Sequence, residues 1–227
     1  MKTTVPLTAI ETVSGRLVDL ANPKPEDFEA SDIAWSLSRE PRFGGHTITA
    51  EVYTVGQHSL RVADLILLAL TSKHMLHKTV KIYFAKNDGM MQFIESMTDM
   101  DQRRWVSKLG LLHDGSEAYL RDLPSPVKNL PGLKEAYLAV EAKVMDQILI
   151  KFELAQYGDK LALAWQLVHW ADIYARTVEA YHFMPSRGAH WASNQKVSLV
   201  DIQEFELPRP QIQVYHEFLA KLQELSR

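Results

Sequence analysis

The sequence predicts an all-α fold with a minor β-ribbon near the N-terminus. Apolar residues recur at helical spacing over several long stretches, whereas the alternation of apolar and polar residues that is typical of strands is confined to short segments. The 227 residues are 46% hydrophobic and 23% charged, which is enough for one globular domain with a substantial core. We therefore expect a single domain over residues 1–227, with its core over 10–185 and a C-terminal extension over 186–227.

Composition and charge exclude several classes of protein. The sequence has no apolar run long enough to cross a membrane and no signal-peptide stretch after Met1, so we expect a cytoplasmic protein without a membrane partner. It contains no cysteine, which excludes disulfides and thiolate metal sites. Its formal net charge of -3 argues against a nucleic-acid polymer as partner, since such binders carry a basic face.

The N-terminal quarter is predicted to hold the ribbon. Residues 15–20 (GRLVDL) and 48–53 (ITAEVY) alternate apolar and polar side chains, which is typical of two strands that pair with each other. Between them, Ser31 or Asp32 is a candidate N-cap for a short helix that ends at Leu37. Pro41 and the paired glycines at 44 and 45 predict a loop after this helix.

The rest of the chain is predicted to be helical, with one ambiguous region. Helical periodicity covers residues 55–69, 105–119, 133–154, 161–179 and 211–225, and 185–210 is irregular. Residues 73–101 form an apparent insertion, in which 80–84 alternate like a strand and 89–97 have the character of a helix. The methionines at 90, 91 and 97 indicate packing in the core or at a subunit contact.

Polar side chains interrupt the apolar stripes of three of these helices. His113 shares a helix face with Leu109 and is followed by Asp114. His58 and Asp172 hold comparable positions on their own helices, each one turn from a core valine. An ionised carboxylate in apolar surroundings costs roughly several kcal/mol unless it is paired or coordinated. The sequence therefore predicts a divalent metal site with four ligands: His58, His113, Asp114 and Asp172.

The ligand set restricts the metal. Two imidazoles and two carboxylates without sulfur suit Zn²⁺, Mn²⁺, Co²⁺ or Fe²⁺. Glu117 lies one turn from both His113 and Asp114, so its carboxyl group is predicted to face the same site. Four other histidines lack such a setting and are predicted to lie at the surface: His74, His77, His190 and His216.

The order His…His-Asp…Asp, each on a helix, resembles the metal-binding signature of the HD-domain phosphohydrolases. Residues 32–47 (DIAWSLSREPRFGGHT), 53–63 (YTVGQHSLRVA) and 111–128 (LLHDGSEAYLRDLPSPVK) look like a bacterial and phage subfamily. That subfamily includes the 5′-deoxynucleotidases and the phage dATP triphosphohydrolases, and the resemblance covers about residues 10–185. Dinuclear members need further imidazoles, whereas His169 is the only histidine between Asp114 and Asp172. We therefore expect one divalent metal ion per chain.

Six further residues are candidates for catalysis or substrate binding, and the resemblance implies the roles of Glu117 and Asp122. Glu117 and Asp122 would position or deprotonate the attacking water and protonate the leaving oxygen, although a solvated helix residue and a turn residue remain alternative interpretations. The family also carries substrate contacts at the positions of Arg42 and Phe43. Lys128 is a second candidate for phosphate binding, and Arg176, one turn past Asp172, either contacts phosphate or balances local charge. The family commonly has tryptophan after the arginine, so the phenylalanine is a departure.

The function expected from these features is metal-dependent hydrolysis of a small deoxynucleotide substrate. The resemblance favours a dATP or dNTP triphosphohydrolase, which would release deoxynucleoside and triphosphate. A 5′-deoxynucleotidase that acts on monophosphates has the same central residues and stays an alternative, as does a non-catalytic nucleotide-binding protein. We further expect a homo-oligomer.

Overall fold

The computed structural model describes residues 5–71, 74–190 and 206–227, and it confirms the all-α fold with a small ribbon. Strands β1 (Ala9–Glu11) and β2 (Leu17–Asp19) pair antiparallel in one two-stranded sheet. The helices, in chain order, are α1 (Ala30–Leu37), α2 (Val55–Ala69), α3 (Met75–Tyr83), α4 (Asp88–Ser96), α5 (Met100–Leu112), α6 (Glu117–Leu120), α7 (Ser125–Lys128), α8 (Lys134–Lys151), α9 (Asp159–Phe183) and α10 (Gln211–Leu225).

The strand predicted over residues 48–53 is wrong, although its predicted partner is a strand. The chain bends through this segment, and β2 pairs with β1 instead. The backbone N–H of Ile48 donates to the carbonyl of Phe183, 2.9 Å away at the end of α9. Tertiary contact with a helix end therefore replaces the ladder that the alternating pattern predicts.

Two smaller predictions in the first hundred residues are also wrong. Helix α1 begins at Ala30 with Glu29 as its N-cap, and the carboxylate of Asp32 accepts hydrogen bonds from the backbone and hydroxyl of Ser14 instead of capping. Residues 80–84 are not a strand, because 80–83 belong to α3 and Phe84 caps its end. The helix expected over 89–97 is confirmed as α4, and the methionines at 90 and 97 are buried in the core.

The helix predicted over 105–119 is interrupted by a tight turn. Helix α5 ends at Leu112, and the amide of Gly115 donates to the carbonyl of Leu112 at 2.8 Å, three residues back. The amide of Glu117 likewise donates to the carbonyl of Asp114 at 2.9 Å before α6 begins. His113 and Asp114 thus lie where α5 gives way to this turn, rather than in mid-helix.

Helix α2 is the centre of the core and packs against α5, α9 and α10. Gly110 allows the close approach of α5 to α2, because a Cβ atom there would collide with Cδ1 of Ile66. The remaining helices agree with the periodicity, and α10 has the predicted bounds. Of the predicted irregular stretch, 185–190 and 206–210 form neither helix nor strand, and the rest lies outside the described residues. Among the residues described, no helix has both the length and the apolar character needed to cross a bilayer.

Candidate metal centre

The structure brings the four predicted ligands together from α2, from α9 and from the turn that follows α5. Nε2 of His113 lies 3.1 Å from Oδ2 of Asp114, and Nε2 of His58 lies 3.8 Å from the same oxygen. Asp172 on α9 adjoins this group, with Oδ1 3.2 Å from Nε2 of His58. Two ligand atoms that are each about 2.1 Å from a shared ion lie roughly 3 to 3.5 Å apart, so the spacing suits one cation. His58, His113 and Asp114 form a cluster that can hold a metal ion, with ligand atoms within 4.8 Å of one another.

The second ring nitrogen of each histidine determines which tautomer the site favours. Nδ1 of His113 lies 2.8 Å from the carbonyl oxygen of Gly110, which can only accept a hydrogen bond. Nδ1 of His58 lies 2.7 Å from Oε1 of the Glu179 carboxylate. Because both Nδ1 atoms donate, a neutral ring presents the lone pair of Nε2 to the other predicted ligands.

The inward-facing ligand atoms are buried and make no hydrogen bond, although they lie close to one another. Nε2 of His58, Nε2 of His113 and Oδ2 of Asp114 have no hydrogen-bond partner within the part of the chain that the structure describes. Buried polar atoms in a folded protein are nearly always hydrogen-bonded or coordinated, because desolvation is costly. The residues present therefore fit a divalent cation of the borderline class.

Glu179 is a member of the site that the sequence analysis missed. Its side chain is fully buried, and Oε1 also accepts a hydrogen bond from the hydroxyl of Tyr53 at 2.9 Å. Burial raises the pKa of Glu179, but the charges of His58 and Arg42 and these hydrogen bonds outweigh it, so the pKa is lowered. Glu179 follows Asp172 by two helical turns on the same face of α9. An acid at that position of an apolar stripe was a signal available in the sequence.

Without a metal, the charge balance favours a proton on His58. Burial and the nearby Arg42 lower the pKa of His58, but Glu179 and Asp172 outweigh them and raise it to about 9. The pKa of Asp114 falls to about 2, because the histidines and Arg42 outweigh the effect of its burial. A cation that binds to Nε2 of His58 must therefore displace a proton at neutral pH.

A cavity of about 550 Å³ opens above the ligands. All six residues predicted to have a catalytic or substrate-binding role line this cavity, together with Asp114 and Asp172. The rest of the lining is mainly apolar and includes Met184 and residues 123–126. The six are Arg42, Phe43, Glu117, Asp122, Lys128 and Arg176.

The two predicted catalytic carboxyl groups have raised pKa values. Burial, followed by the charges of Asp114 and Asp122, raises the pKa of Glu117 well above its ordinary value, and its Oε2 has no hydrogen-bond partner among the described residues. Burial is also the main cause of the raised pKa of Asp122. Carboxyl groups in such surroundings are suited to proton transfer near neutral pH.

The predicted phosphate-binding cations differ in how they are paired. The guanidinium of Arg42 lies within 3.6 to 4.0 Å of Asp114, Asp172 and Glu179, and Arg42 as a whole is only 8% exposed. Nζ of Lys128 lies 3.1 Å from the carboxylate of Glu141 on α8. Arg42 is thus held deep in the wall by three acids.

No model of a known protein family matches the chain. A search of curated proteins finds similarity to an uncharacterized protein of Rhodobacter capsulatus, 30% identical over 142 residues. The match spans 63% of this chain and 57% of that relative. The chain thus covers less than two thirds of the length of this relative.

Proposed function

We propose that the chain is a metal-dependent phosphohydrolase that cleaves a phosphate ester in a deoxyribonucleotide. One observation carries the proposal. Three orphaned ligand atoms, Nε2 of His58, Nε2 of His113 and Oδ2 of Asp114, lie together beside a cavity that holds proton-transfer groups and cations. Hydrolysis of a phosphate ester requires this combination of metal ligands, proton-transfer groups and cations.

Different residues of the site would perform the separate steps of hydrolysis. A divalent cation held by His58, His113, Asp114 and Asp172 would supply Lewis-acid polarisation of a phosphoryl oxygen and would acidify water. Asp122 takes a proton from the attacking water as the water oxygen bonds to phosphorus. Glu117, whose pKa is raised by burial and by the charges of Asp114 and Asp122, gives a proton to the leaving oxygen as the old P–O bond breaks.

Basic and apolar groups on the cavity wall suit a nucleotide. Lys128 and Arg176 line the wall, where they would neutralise phosphate oxygens. Phe43 and Met184 offer apolar surface to a sugar or a base. The cavity volume of about 550 Å³ is in the range of small-molecule sites.

We favour dATP or another dNTP as substrate, cleaved to deoxynucleoside and triphosphate, on the strength of the resemblance. A second candidate, a 5′-deoxynucleotidase, is favoured by the pairing of Arg42 with three carboxylates. The other cations of the wall are Arg176 and Lys128, which pairs with Glu141, and two cations suit a single phosphate better than three.

Product analysis separates these candidates. The protein is incubated with dATP or dAMP in the presence of Mn²⁺ or Co²⁺, and the products are resolved by chromatography. Deoxyadenosine together with intact triphosphate from dATP supports the favoured activity. Orthophosphate from dAMP alone establishes the second candidate, and no turnover of either nucleotide, with binding retained, would make the protein a nucleotide binder.

A further inference from the structure

Arg121, which follows α6, has a backbone conformation that is nearly restricted to glycine. Its φ is 73° and its ψ is 155°. In this region the Cβ atom of an L-residue clashes with its own backbone, so such a residue persists only where its surroundings hold it. The side chain of Arg121 is 66% exposed, so core packing does not impose the conformation.

Hydrogen bonds on both sides of Arg121 hold the strained backbone. The buried carboxylate of Glu40 accepts the amide N–H of Asp122 at 3.2 Å through Oε1, and its Oε2 pairs with the Arg121 guanidinium. The hydroxyl of Tyr137 donates to the carbonyl of Arg121 at 2.9 Å. Glu40 is itself fixed to α2, because its carbonyl accepts the amide of Val55 at 2.8 Å.

The peptide that Glu40 holds is the one that carries Asp122 into the cavity. A change of Arg121 to an ordinary negative φ would rotate this peptide, which would turn the Asp122 amide away from Glu40 and shift its carboxyl group relative to the cavity wall. Glu40 is absent from the lining of that cavity, whereas Asp122 is part of it. Glu40 therefore acts through Asp122 and not on a substrate.

We propose that Glu40 is a positioning residue, which keeps the Arg121–Asp122 peptide in a strained conformation and so aims Asp122 at the reacting group. The inference rests on the proposed function for the role of Asp122 in catalysis. We call the contacts of the Glu40 carboxylate with the Arg121 guanidinium and the Asp122 amide the clamp. The clamp is a property of the fold, and it can be tested without substrate.

The clamp is tested first by stability and hydrogen exchange. Glu40→Ala removes the acceptor, and the Asp122 amide then exchanges at least about tenfold faster relative to the core amides of α2. Glu40→Gln keeps an acceptor oxygen and retains most of the protection. Arg121→Gly and Arg121→Ala both lose the guanidinium. The glycine variant should melt about 3 °C higher than the alanine variant, because glycine has no Cβ atom to clash with the backbone at positive φ. Equal melting temperatures, or unchanged exchange in Glu40→Ala, would overturn the clamp.

The positioning role is tested next by kinetics. Glu40→Ala lowers kcat about tenfold or more with little change in KM, Glu40→Gln restores it to within about threefold, and Glu40→Ala has no further effect in an Asp122→Ala background. An additive loss in that background would make Glu40 merely structural. If the wild-type protein hydrolyses no nucleotide, the proposed function fails, and the exchange and melting results still decide the clamp.

Discussion

Replacing Glu179 with glutamine removes the negative charge behind His58 and keeps the size of the side chain. Glu179 accepts hydrogen bonds from Nδ1 of His58 at 2.7 Å and from Tyr53 at 2.9 Å, and its other oxygen lies 3.8 Å from Arg42. A glutamine that keeps its oxygen toward His58 turns its amide toward the Arg42 guanidinium, so two donors face each other. The variant should therefore bind metal more weakly, although it retains all four predicted ligands.

The expected magnitude follows from the interactions that change. Loss of a carboxylate behind a metal-binding histidine weakens metal affinity by about 10- to 100-fold, which is about 1.4 to 2.7 kcal/mol. The ion pair with protonated His58 and the hydrogen bond from Tyr53 both lose the carboxylate charge, which lowers the free energy of unfolding of the metal-free protein by about 2 kcal/mol.

Competition with a chelator of known affinity measures the first quantity, and urea unfolding measures the second. Glu141→Gln is the matched control, because Glu141 pairs with Lys128, 3.1 Å away at the cavity, rather than with a predicted ligand. It should bind metal within about twofold of wild type. Unchanged metal affinity in Glu179→Gln would refute the assignment of Glu179 as the group that orients His58.

Three further changes test other parts of the site and core. Glu117→Gln should keep its metal but lower kcat by about a hundredfold or more, because the proton donor is lost; near-normal turnover would return Glu117 to a structural role. Metal-free protein should lose stability between pH 6.5 and 9, because the folded-state pKa of His58, about 9, lies above its ordinary 6.5. That contribution, about 3 kcal/mol, is fully present below pH 6.5; urea unfolding at each pH should show the slope in wild type and not in His58→Gln. Gly110→Ala should lower the free energy of unfolding by about 1 to 3 kcal/mol, since the added methyl collides with Ile66; calorimetry that shows no change would refute the close contact of α2 and α5.

The parts of the fold that depend on local periodicity could be predicted from the sequence. The bounds of α2 and α10 agree with their apolar stripes, because α10 buries one face against the core and α2 is buried along most of its surface. The positions of His58 and Asp172, two of the predicted ligands, could be predicted for the same reason, since both lie on apolar stripes of helices that pack together. His58, at 0% exposure, is the clearest case.

Features that depend on tertiary contacts or on the hydrogen bonds of a turn could not be predicted from helical periodicity. The segment 48–53 alternates like a strand, but the hydrogen bond of Ile48 to the end of α9 decides its conformation. The turn after α5 places His113 and Asp114 by hydrogen bonds three residues apart, a pattern that helical spacing does not encode. The positive φ of Arg121 could not be predicted from the sequence either, because Glu40, which stabilises this conformation, lies 81 positions away.

The divalent metal content of the purified protein tests the metal site most directly. Wild-type protein and Asp114→Ala are loaded with Zn²⁺, Mn²⁺, Co²⁺ or Fe²⁺ in turn, dialysed and measured by elemental analysis. We predict about one ion per chain for wild type and almost none for Asp114→Ala, because Oδ2 of Asp114 lies within 3.8 Å of Nε2 of both histidines. A wild-type protein that retains no divalent ion, or a variant that retains as much as wild type, would contradict the site and the hydrolysis that depends on it.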